Sequence, residues 1–337
     1  MRVGVLGAGA IGTYVGGRLS AAGHDVVLVG RAERLAEIAS RGVVLEDVEG
    51  PPREARPRCA GDASALRDCE VVLITTKVAG LESAAASLRD QASVVIGLQN
   101  GVEHPRVLRD VLGRPRARAG SVSWNVVWRD GRTLRRSTTG PIVIEQQGED
   151  AIVSRTIEAL EDAKLPARGA DPIEPVLWTK LLFNLNNAIN ALSGLPLREE
   201  LGTRAWRRVV AACQLEGLAA MRAAGLRPVR IGRLDARLSS LFLPAPDRLF
   251  RVVAGAMIRI DPAARSSMAD DLASGRMTEI DHLNGAVVEL GARHGVPTPV
   301  NARVVAAIRR AERGEGVVMT PESLLHASSS VPLSALD

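Results

Sequence analysis

The chain has 337 residues and a formal net charge of +5. Its single Tyr, three Phe and four Trp leave too few aromatic rings for the stacking surfaces of many single-strand nucleic-acid binders. The basic residues are spread along the chain, so the charge does not indicate a nucleic-acid interface. A small positive net charge is also expected of a protein that binds an acidic cofactor and an acidic substrate. The length allows two domains and a large core.

The cysteine content and the absence of targeting patterns indicate the cellular compartment. Cys59, Cys69 and Cys213 are odd in number and show no C-x-x-C spacing, which predicts reduced thiols in a cytoplasmic protein with no metal site. The N-terminus lacks the pattern of a signal peptide. No stretch approaches the roughly 20 apolar residues of a bilayer span, so we expect no membrane partner.

A glycine-rich motif opens the chain. The apolar strand Val3–Leu6 runs directly into the pattern G-x-G-x-x-G, formed by Gly7, Ala8, Gly9, Ala10, Ile11 and Gly12. A helix over 11–22 and a second strand over 26–29 follow. The first glycine permits a tight turn, the second lets a pyrophosphate approach, and the third lets the helix pack closely on the strand. The pattern predicts a dinucleotide-binding unit; the alternative is a glycine-rich turn in another strand–helix unit.

The end of the second strand indicates which dinucleotide binds. Chains that bind NAD usually carry Asp or Glu there, to accept a hydrogen bond from the ribose 2′-hydroxyl. This chain has Gly30 and Arg31 instead, and a guanidinium can hold a 2′-phosphate through two hydrogen bonds. NADP(H) is therefore favoured over NAD. The alternative for Arg31 is a surface arginine that contacts only solvent. Because Glu33 lies close to this position, NAD remains an alternative cofactor.

Strand and helix patterns alternate through the first half and then give way to helices. Strands are predicted over 43–45, 71–74, 94–98, 121–128 and 141–145, and helices over 32–40, 81–88, 104–112 and 151–163. This alternation predicts a Rossmann-type α/β domain, with a parallel sheet and helices on both faces, over residues 1–169. Residues 170–337 are predicted to form an all-α domain with helices over 174–192, 203–224, 267–273, 279–294 and 301–313. We expect the substrate in a cleft between the halves, facing the nicotinamide.

Polar residues follow two strands of the predicted sheet. Lys77 comes after the strand over 71–74, and Asn100 after the strand over 94–98. Residues just past the carboxyl ends of parallel strands line the ligand crevice, so Lys77 is a candidate for a phosphate or a substrate carboxylate. The alternatives are a solvated lysine and an ordinary Asn-Gly turn.

The second half carries a polar stripe on an apolar helix. Lys180, Asn184 and Asn187 fall at i, i+4 and i+7, opposite a face of leucines. Amides on such a helix need partners, and partial burial lowers the pKa of a lysine towards neutrality. We interpret Lys180 as a proton donor and the asparagines as ligand contacts. An interhelical hydrogen-bond network is the alternative.

Taken together, these motifs resemble the ketopantoate reductase (2-dehydropantoate 2-reductase) family over essentially the whole chain. The matching elements occur in the family's order: the glycine motif, Arg31, Lys77, Asn100-Gly101, Trp178-Thr179-Lys180 with Asn184, Ser266-Ser267-Met268, Thr278-Glu279-Ile280-Asp281 with Asn284-Gly285, and the run from His294 to Pro299 with Asn301.

The resemblance implies roles for six of the matching residues. Lys180 is implied as the general acid, and Glu279 as a group near the substrate hydroxyl and the nicotinamide ribose. Asn100 is implied between cofactor and substrate, with Lys77 close to both. Asn184 and Ser267 are implied as substrate contacts.

Two features depart from the family: the stretch over 230–260, which is longer than in the compact members, and one position on the polar helix. Many members have a second asparagine four residues after the first, where this chain has Ala188. Asn187 or Asn190 is left to substitute for it.

The activity implied is NADPH-dependent reduction of 2-dehydropantoate to pantoate, in pantothenate biosynthesis. A reductase of another branched 2-oxo acid is one alternative. A second is a 3-hydroxyacid dehydrogenase of the 6-phosphogluconate dehydrogenase-like class, which is disfavoured because residues 171–177 lack the glycine-rich turn that precedes its lysine. A third is a non-catalytic NADP-sensing regulator, which does not need Lys180, Asn184, Ser267 and Glu279 together. A homodimer stays open.

Overall fold

The computed structural model describes residues 1–232, 235–255, 264–315 and 319–326. The chain divides into two compact units, Met1–Leu177 and Trp178–Asp337. The division falls later than the expected boundary at 169/170. The strand Ala167–Ala170 pairs with Ile142–Glu145 and so belongs to the sheet of the first unit.

The first unit alternates strands and helices. Its strands are β1 (Arg2–Leu6), β2 (Asp25–Val29), β3 (Val43–Glu46), β4 (Arg53–Ala55), β5 (Arg58–Ala60), β6 (Val71–Ile74), β7 (Val94–Gly97), β8 (Ala117–Val122), β9 (Val126–Trp128), β10 (Thr133–Arg136), β11 (Ile142–Glu145) and β12 (Ala167–Ala170). Its helices are α1 (Ala10–Ala21), α2 (Ala32–Arg41), α3 (Leu81–Ala86), α4 (His104–Leu112) and α5 (Ala151–Asp162).

The main sheet has the strand order of a dinucleotide-binding fold. Within the described ranges it comprises eight strands in the order β12-β11-β8-β7-β6-β1-β2-β5. Six of these strands are parallel and lie side by side in the order β5-β2-β1-β6-β7-β8. When these six are renumbered in the order in which they occur along the chain, their order in the sheet is 3-2-1-4-5-6. Their Val, Leu and Ile side chains are buried in two clusters, one on each face. The predicted Rossmann-type α/β domain is confirmed.

A smaller sheet covers α1 on the side away from the main sheet. It has the order β4-β3-β10-β9 in the part of the chain that the structure describes. The sequence predicted one strand over 121–128, but β8 joins the main sheet and β9 the small one. Trp124 lies between them, buried, with its ring 5.6 Å from that of Tyr14 on α1. The chain therefore crosses from one sheet to the other over α1.

Every element of regular structure described in the second unit is a helix, so the predicted all-α domain is confirmed. The helices are α6 (Glu174–Asn184), which spans the division, α7 (Asn186–Ser193), α8 (Leu197–Gly202), α9 (Arg204–Ala223), α10 (Ala236–Phe242), α11 (Asp247–Gly255), α12 (Ser267–Ala273), α13 (Ala286–Arg293), α14 (Pro299–Glu312) and α15 (Pro321–Leu325). The helix expected over 279–294 begins instead with a π-helical turn, Asp281–Gly285. Among the described helices, none combines the length and the apolar character needed to cross a membrane.

Candidate functional site

The glycine loop after β1 is held by hydrogen bonds that require glycine. Gly7 has a φ of +125°, and its N–H donates to the carbonyl of Val29 at 2.8 Å. The hydroxyl of Thr75 donates to the carbonyl of Gly7, also at 2.8 Å. A Cβ at Gly12 lies only 2.0 Å from that same carbonyl oxygen. The first turn of α1 thus sits against the loop at a distance that no larger residue allows.

The N-terminus of α1 fits a phosphate group. Gly9 is its N-cap residue, and a Cβ built there meets no atom within 4 Å. The first turn of this helix contains no acidic residue. Open space therefore lies beside Gly9, at the end of the helix that carries the orphan N–H groups and the positive end of the dipole, and this arrangement suits a dinucleotide pyrophosphate.

The ends of four parallel strands lie side by side along one edge of the main sheet. Leu6 pairs with Val29 and with Ile74, and Ile74 pairs with Gly97. The loops that follow β1, β2, β6 and β7 therefore share this edge. They carry the glycine loop, Arg31, Lys77 and Asn100, so the structure places the residues that were predicted to contact the cofactor along one edge of the sheet.

Arg31 lies beside the glycine loop. A Cβ at the preceding Gly30 is 2.5 Å from the Cβ of Ala8, which shows how closely the end of β2 approaches the loop. Arg31 itself is exposed and is the N-cap residue of α2. Glu33, in the first turn of α2, is also exposed. The guanidinium is thus available to a ligand at this edge.

Gln99 links the loops that carry Lys77 and Asn100. Its side-chain amide is buried and donates to the carbonyls of Ile74 at 2.9 Å and Thr76 at 3.2 Å. Lys77 is exposed and Asn100 is half-buried. No role was predicted for Gln99, although its sequence position, an amide directly after an apolar run, is visible.

In the second unit, burial changes the chemistry of Lys180. This side chain is half-buried on α6, and burial lowers its pKa to about 8, while the negative charge of Glu279 acts to raise it. Glu279 is half-buried just before the π-helical turn. The structure therefore brings these two residues, 99 positions apart in sequence, into electrostatic contact.

The polar stripe predicted from the spacing is present. Asn184 and Asn187 are half-buried, like Lys180, while the leucines of the opposite face are buried. The one-residue break at Leu185 keeps helical dihedral angles (φ −56°, ψ −27°), so the stripe continues from α6 into α7.

Ser267 lies beside this stripe because of the residue before it. Ser266 is buried, its hydroxyl donates to the carbonyl of Asn187 at 2.8 Å, and it caps α12 by accepting from the N–H of Ala269 at 3.1 Å. Ser267 is the first residue of α12 and is exposed. The hydrogen bond of Ser266 thus brings the backbone at Asn187 close to the start of α12, where Ser267 lies.

The side chain of Asn190 makes its hydrogen bonds inside the second unit. It is fully buried, its amide donates to the carbonyl of Leu195 at 3.0 Å, and its oxygen accepts from the N–H of Ser266 at 2.9 Å. Of the two residues left to substitute at the family's second asparagine position, Asn187 is therefore the one with a side chain accessible to a ligand.

A buried amide chain fixes the π-helical turn that follows Glu279. Asn284 donates to Asn301 at 3.0 Å, and Asn301 donates to Glu216 at 2.8 Å and to the carbonyl of Cys213 at 3.1 Å. Such turns are frequent at functional sites. The sequence pattern predicted a continuous helix here and did not reveal the π turn.

The thiols and acidic groups form no metal centre in the described ranges. Cys59, Cys69 and Cys213 are free. No group of three or more His, Cys, Asp or Glu side chains there is arranged to hold an ion.

Comparison with known families matches both units. The sequence profile described as ketopantoate reductase PanE/ApbA matches residues 3–149, and the profile of the C-terminal part of that family matches residues 172–312. The chain belongs to the ketopantoate reductase family. It is therefore an oxidoreductase that acts on CH–OH groups, and the resemblance identified from the motifs is confirmed.

Individual relatives span nearly the same length. A 2-dehydropantoate 2-reductase of Mesorhizobium japonicum is 30% identical over 93% of this chain and 99% of the relative. The crystal structure of a PanE/ApbA family ketopantoate reductase from Ralstonia eutropha is 29% identical, with a TM-score of 0.78, over 94% of this chain and 99% of that one. A D-mandelate dehydrogenase solved with NADH and anilino(oxo)acetate, 20% identical, shares the fold with a TM-score of 0.78 over 94% and 100% of the two chains.

Proposed function

We propose that this ketopantoate reductase family member reduces the C2 carbonyl of 2-dehydropantoate to pantoate with NADPH, a step of pantothenate biosynthesis. The observation that carries the proposal is Lys180, whose pKa is lowered to about 8 on a half-buried polar stripe. A general acid works best when its pKa lies near the operating pH.

Lys180 acts as the proton donor to the carbonyl oxygen. A bound nicotinamide cofactor supplies the hydride that reaches the carbonyl carbon. As negative charge develops on the oxygen, the Lys180 ammonium stabilises it and transfers one proton, which gives the 2-hydroxy acid. The neutral amine then takes a proton from water.

Glu279 keeps that proton on Lys180. Burial alone favours the neutral amine, and the carboxylate of Glu279 opposes this by raising the pKa. We therefore assign Glu279 a catalytic role beside Lys180, together with the ribose contact implied by the family.

The remaining polar residues orient the substrate. Asn184 and Asn187 lie on the same stripe as Lys180, and Ser267 is placed next to Asn187 by the hydrogen bonds of Ser266. Their amide and hydroxyl groups suit the carboxylate and hydroxyl of a small 2-oxo acid.

NADP(H) is the proposed cofactor. The open N-terminus of α1 suits the pyrophosphate, and the exposed Arg31 beside the glycine loop suits a 2′-phosphate. Asn100 and Lys77, at the same edge of the sheet, are the proposed contacts towards the nicotinamide half and the substrate.

A substrate panel tests the proposal. NADPH and NADH oxidation is followed over a range of concentrations, from below to above KM, of 2-dehydropantoate, other branched 2-oxo acids and phenylglyoxylate, and the reverse reaction is followed with 3-hydroxy acids. We expect the highest kcat/KM for 2-dehydropantoate with NADPH. A higher kcat/KM for another 2-oxo acid contradicts the substrate, preference for NADH contradicts the cofactor, and turnover of 3-hydroxy acids alone contradicts the reaction.

A further inference from the structure

Glu200 is an acidic residue enclosed in the second unit. Its side chain on α8 has no exposed surface. Two amides donate to the same carboxyl oxygen, Oε2: that of Asn186 at 3.2 Å and that of Asn190 at 3.5 Å. Removing a carboxylate from water costs several kcal/mol unless a charge or strong hydrogen bonds compensate it.

Two acceptor oxygens beside this contact lack donors. The second carboxyl oxygen of Glu200, Oε1, and the amide oxygen of Asn186, Oδ1, are both buried without a hydrogen-bond partner among the described residues. An ionised carboxylate and an amide oxygen are both acceptors only. One added proton on Oε1 changes this, because a carboxylic acid and a primary amide can form two parallel hydrogen bonds.

The charged groups around α8 are turned to other partners or to solvent. The neighbouring Arg198 and Glu199 are exposed, and α7 has no ionisable residue. On α9, Arg204 and Arg208 are exposed. The buried Arg207 binds the carbonyls of Leu201, Leu243 and Ala245 and pairs with Asp247.

We infer that Glu200 is held in the folded protein as a neutral carboxylic acid, whose Oε1–H donates to the Oδ1 of Asn186, and that this pair positions the substrate-binding segment of α7 and α12. In support, burial raises the pKa of Glu200 to about 7, against the lowering effect of the two amide donors. The positioning part of the inference rests on the proposed function.

The path from Glu200 to the substrate residues is short. The amide of Asn190 contacts Oε2 of Glu200, and its oxygen holds the N–H of Ser266. Ser266 in turn binds the carbonyl of Asn187 and starts α12, whose first residue is Ser267. A displacement of Asn186 and Asn190 therefore moves two of the proposed substrate contacts, Asn187 and Ser267, while the glycine loop belongs to the other unit.

Loss of the proton from Oε1 of Glu200 breaks the hydrogen-bonded pair of Glu200 and Asn186. Above about pH 7 the carboxylate Oε1 faces the amide oxygen of Asn186 with no hydrogen between them. We expect the KM for the 2-oxo acid to rise there and level off once Glu200 is ionised, with the KM for NADPH unchanged.

Glu200→Gln tests the inference, with Glu199→Gln, an exposed neighbour on α8, as the matched control. Glutamine keeps both hydrogen bonds at every pH. The first readout is Tm from pH 5 to pH 8.5. Because a raised pKa in the folded state lowers stability as pH rises from the ordinary glutamate range to about 7, the wild type should lose Tm relative to Glu200→Gln over that interval.

The second readout is the KM for the 2-oxo acid. At pH 8 we expect Glu200→Gln to show a KM about fivefold below that of the wild type, equivalent to one hydrogen bond of about 1 kcal/mol, with equal values at pH 6. A Tm difference that does not change with pH overturns the protonated state. Equal KM values at both pH values overturn the positioning role.

The design separates this inference from the proposed function. If the wild type reduces no 2-oxo acid, the proposed function and the positioning role both fail, and the Tm series still decides whether Glu200 is protonated. A response of Glu199→Gln equal to that of Glu200→Gln overturns the assignment to Glu200.

Discussion

The two units present their proposed ligand-binding groups in different ways. In the first, these groups are mostly backbone: a glycine loop, a helix N-terminus and the ends of parallel strands. In the second, they are side chains held among buried polar partners on separate helices, from Lys180 to Glu279.

This difference decides how each set of groups responds to change. A backbone surface depends on the space around particular glycines, so a single methyl group can destroy it. A side-chain surface depends on the pKa and the hydrogen bonds of each member, so pH and isosteric substitutions change it. Substitutions in the first unit therefore test the space around its glycines, and substitutions in the second test the pKa and the hydrogen bonds of its side chains.

Lys180→Ala should give the largest effect. We expect kcat to fall by about 10³-fold, the usual contribution of general acid catalysis, because no other group is proposed to donate the proton. NADPH affinity, measured by fluorescence titration, should stay within about twofold because the dinucleotide surface belongs to the first unit. Lys164→Ala, an exposed lysine at the end of α5, is the control. A kcat near the wild-type value removes Lys180 from the mechanism.

Gly12→Ala and Gly9→Ala should separate folding from binding in the first unit. A methyl group at Gly12 meets the carbonyl oxygen of Gly7 at 2.0 Å, so we expect a loss of about 3 kcal/mol in the free energy of unfolding. A methyl group at Gly9 meets nothing within 4 Å, so Tm should hold while NADPH binding weakens by at least about tenfold. Equal Tm losses in the two variants contradict this account of the loop.

Arg31→Ala should give a smaller effect, confined to one cofactor. Loss of the proposed contact to the 2′-phosphate should raise the KM for NADPH by about tenfold and leave that for NADH unchanged. Arg41→Ala, at the other end of α2 and also exposed, is the control. If the KM values for NADPH and NADH rise equally, Arg31 does not bind the 2′-phosphate.

The sequence predicted the first unit well because its signals are local. The glycine motif and the strand-end residues Lys77 and Asn100 each follow directly from a buried apolar run, and the parallel strands align those ends. It missed the small sheet in part, because β4 and β10 are short and polar, and because β10 pairs with β3, which is distant in sequence.

The second unit shows what local patterns leave out. The spacing of Lys180, Asn184 and Asn187 was sufficient to predict one polar stripe. The contact between Lys180 and Glu279, the pairing of Asn190 with Ser266 and the environment of Glu200 depend on how separate helices pack. No periodicity in one segment carries that information.

The most direct test of the central claim is the pH dependence of kcat/KM for the 2-oxo acid at saturating NADPH, from pH 6 to pH 10. Because Lys180 must be protonated to act as the acid and its pKa is lowered to about 8, kcat/KM should fall tenfold per pH unit above about 8. The Glu200 transition contributes only a limited step near pH 7 and then levels off. A value of kcat/KM that stays constant to pH 10 contradicts the assignment of Lys180 as the proton donor.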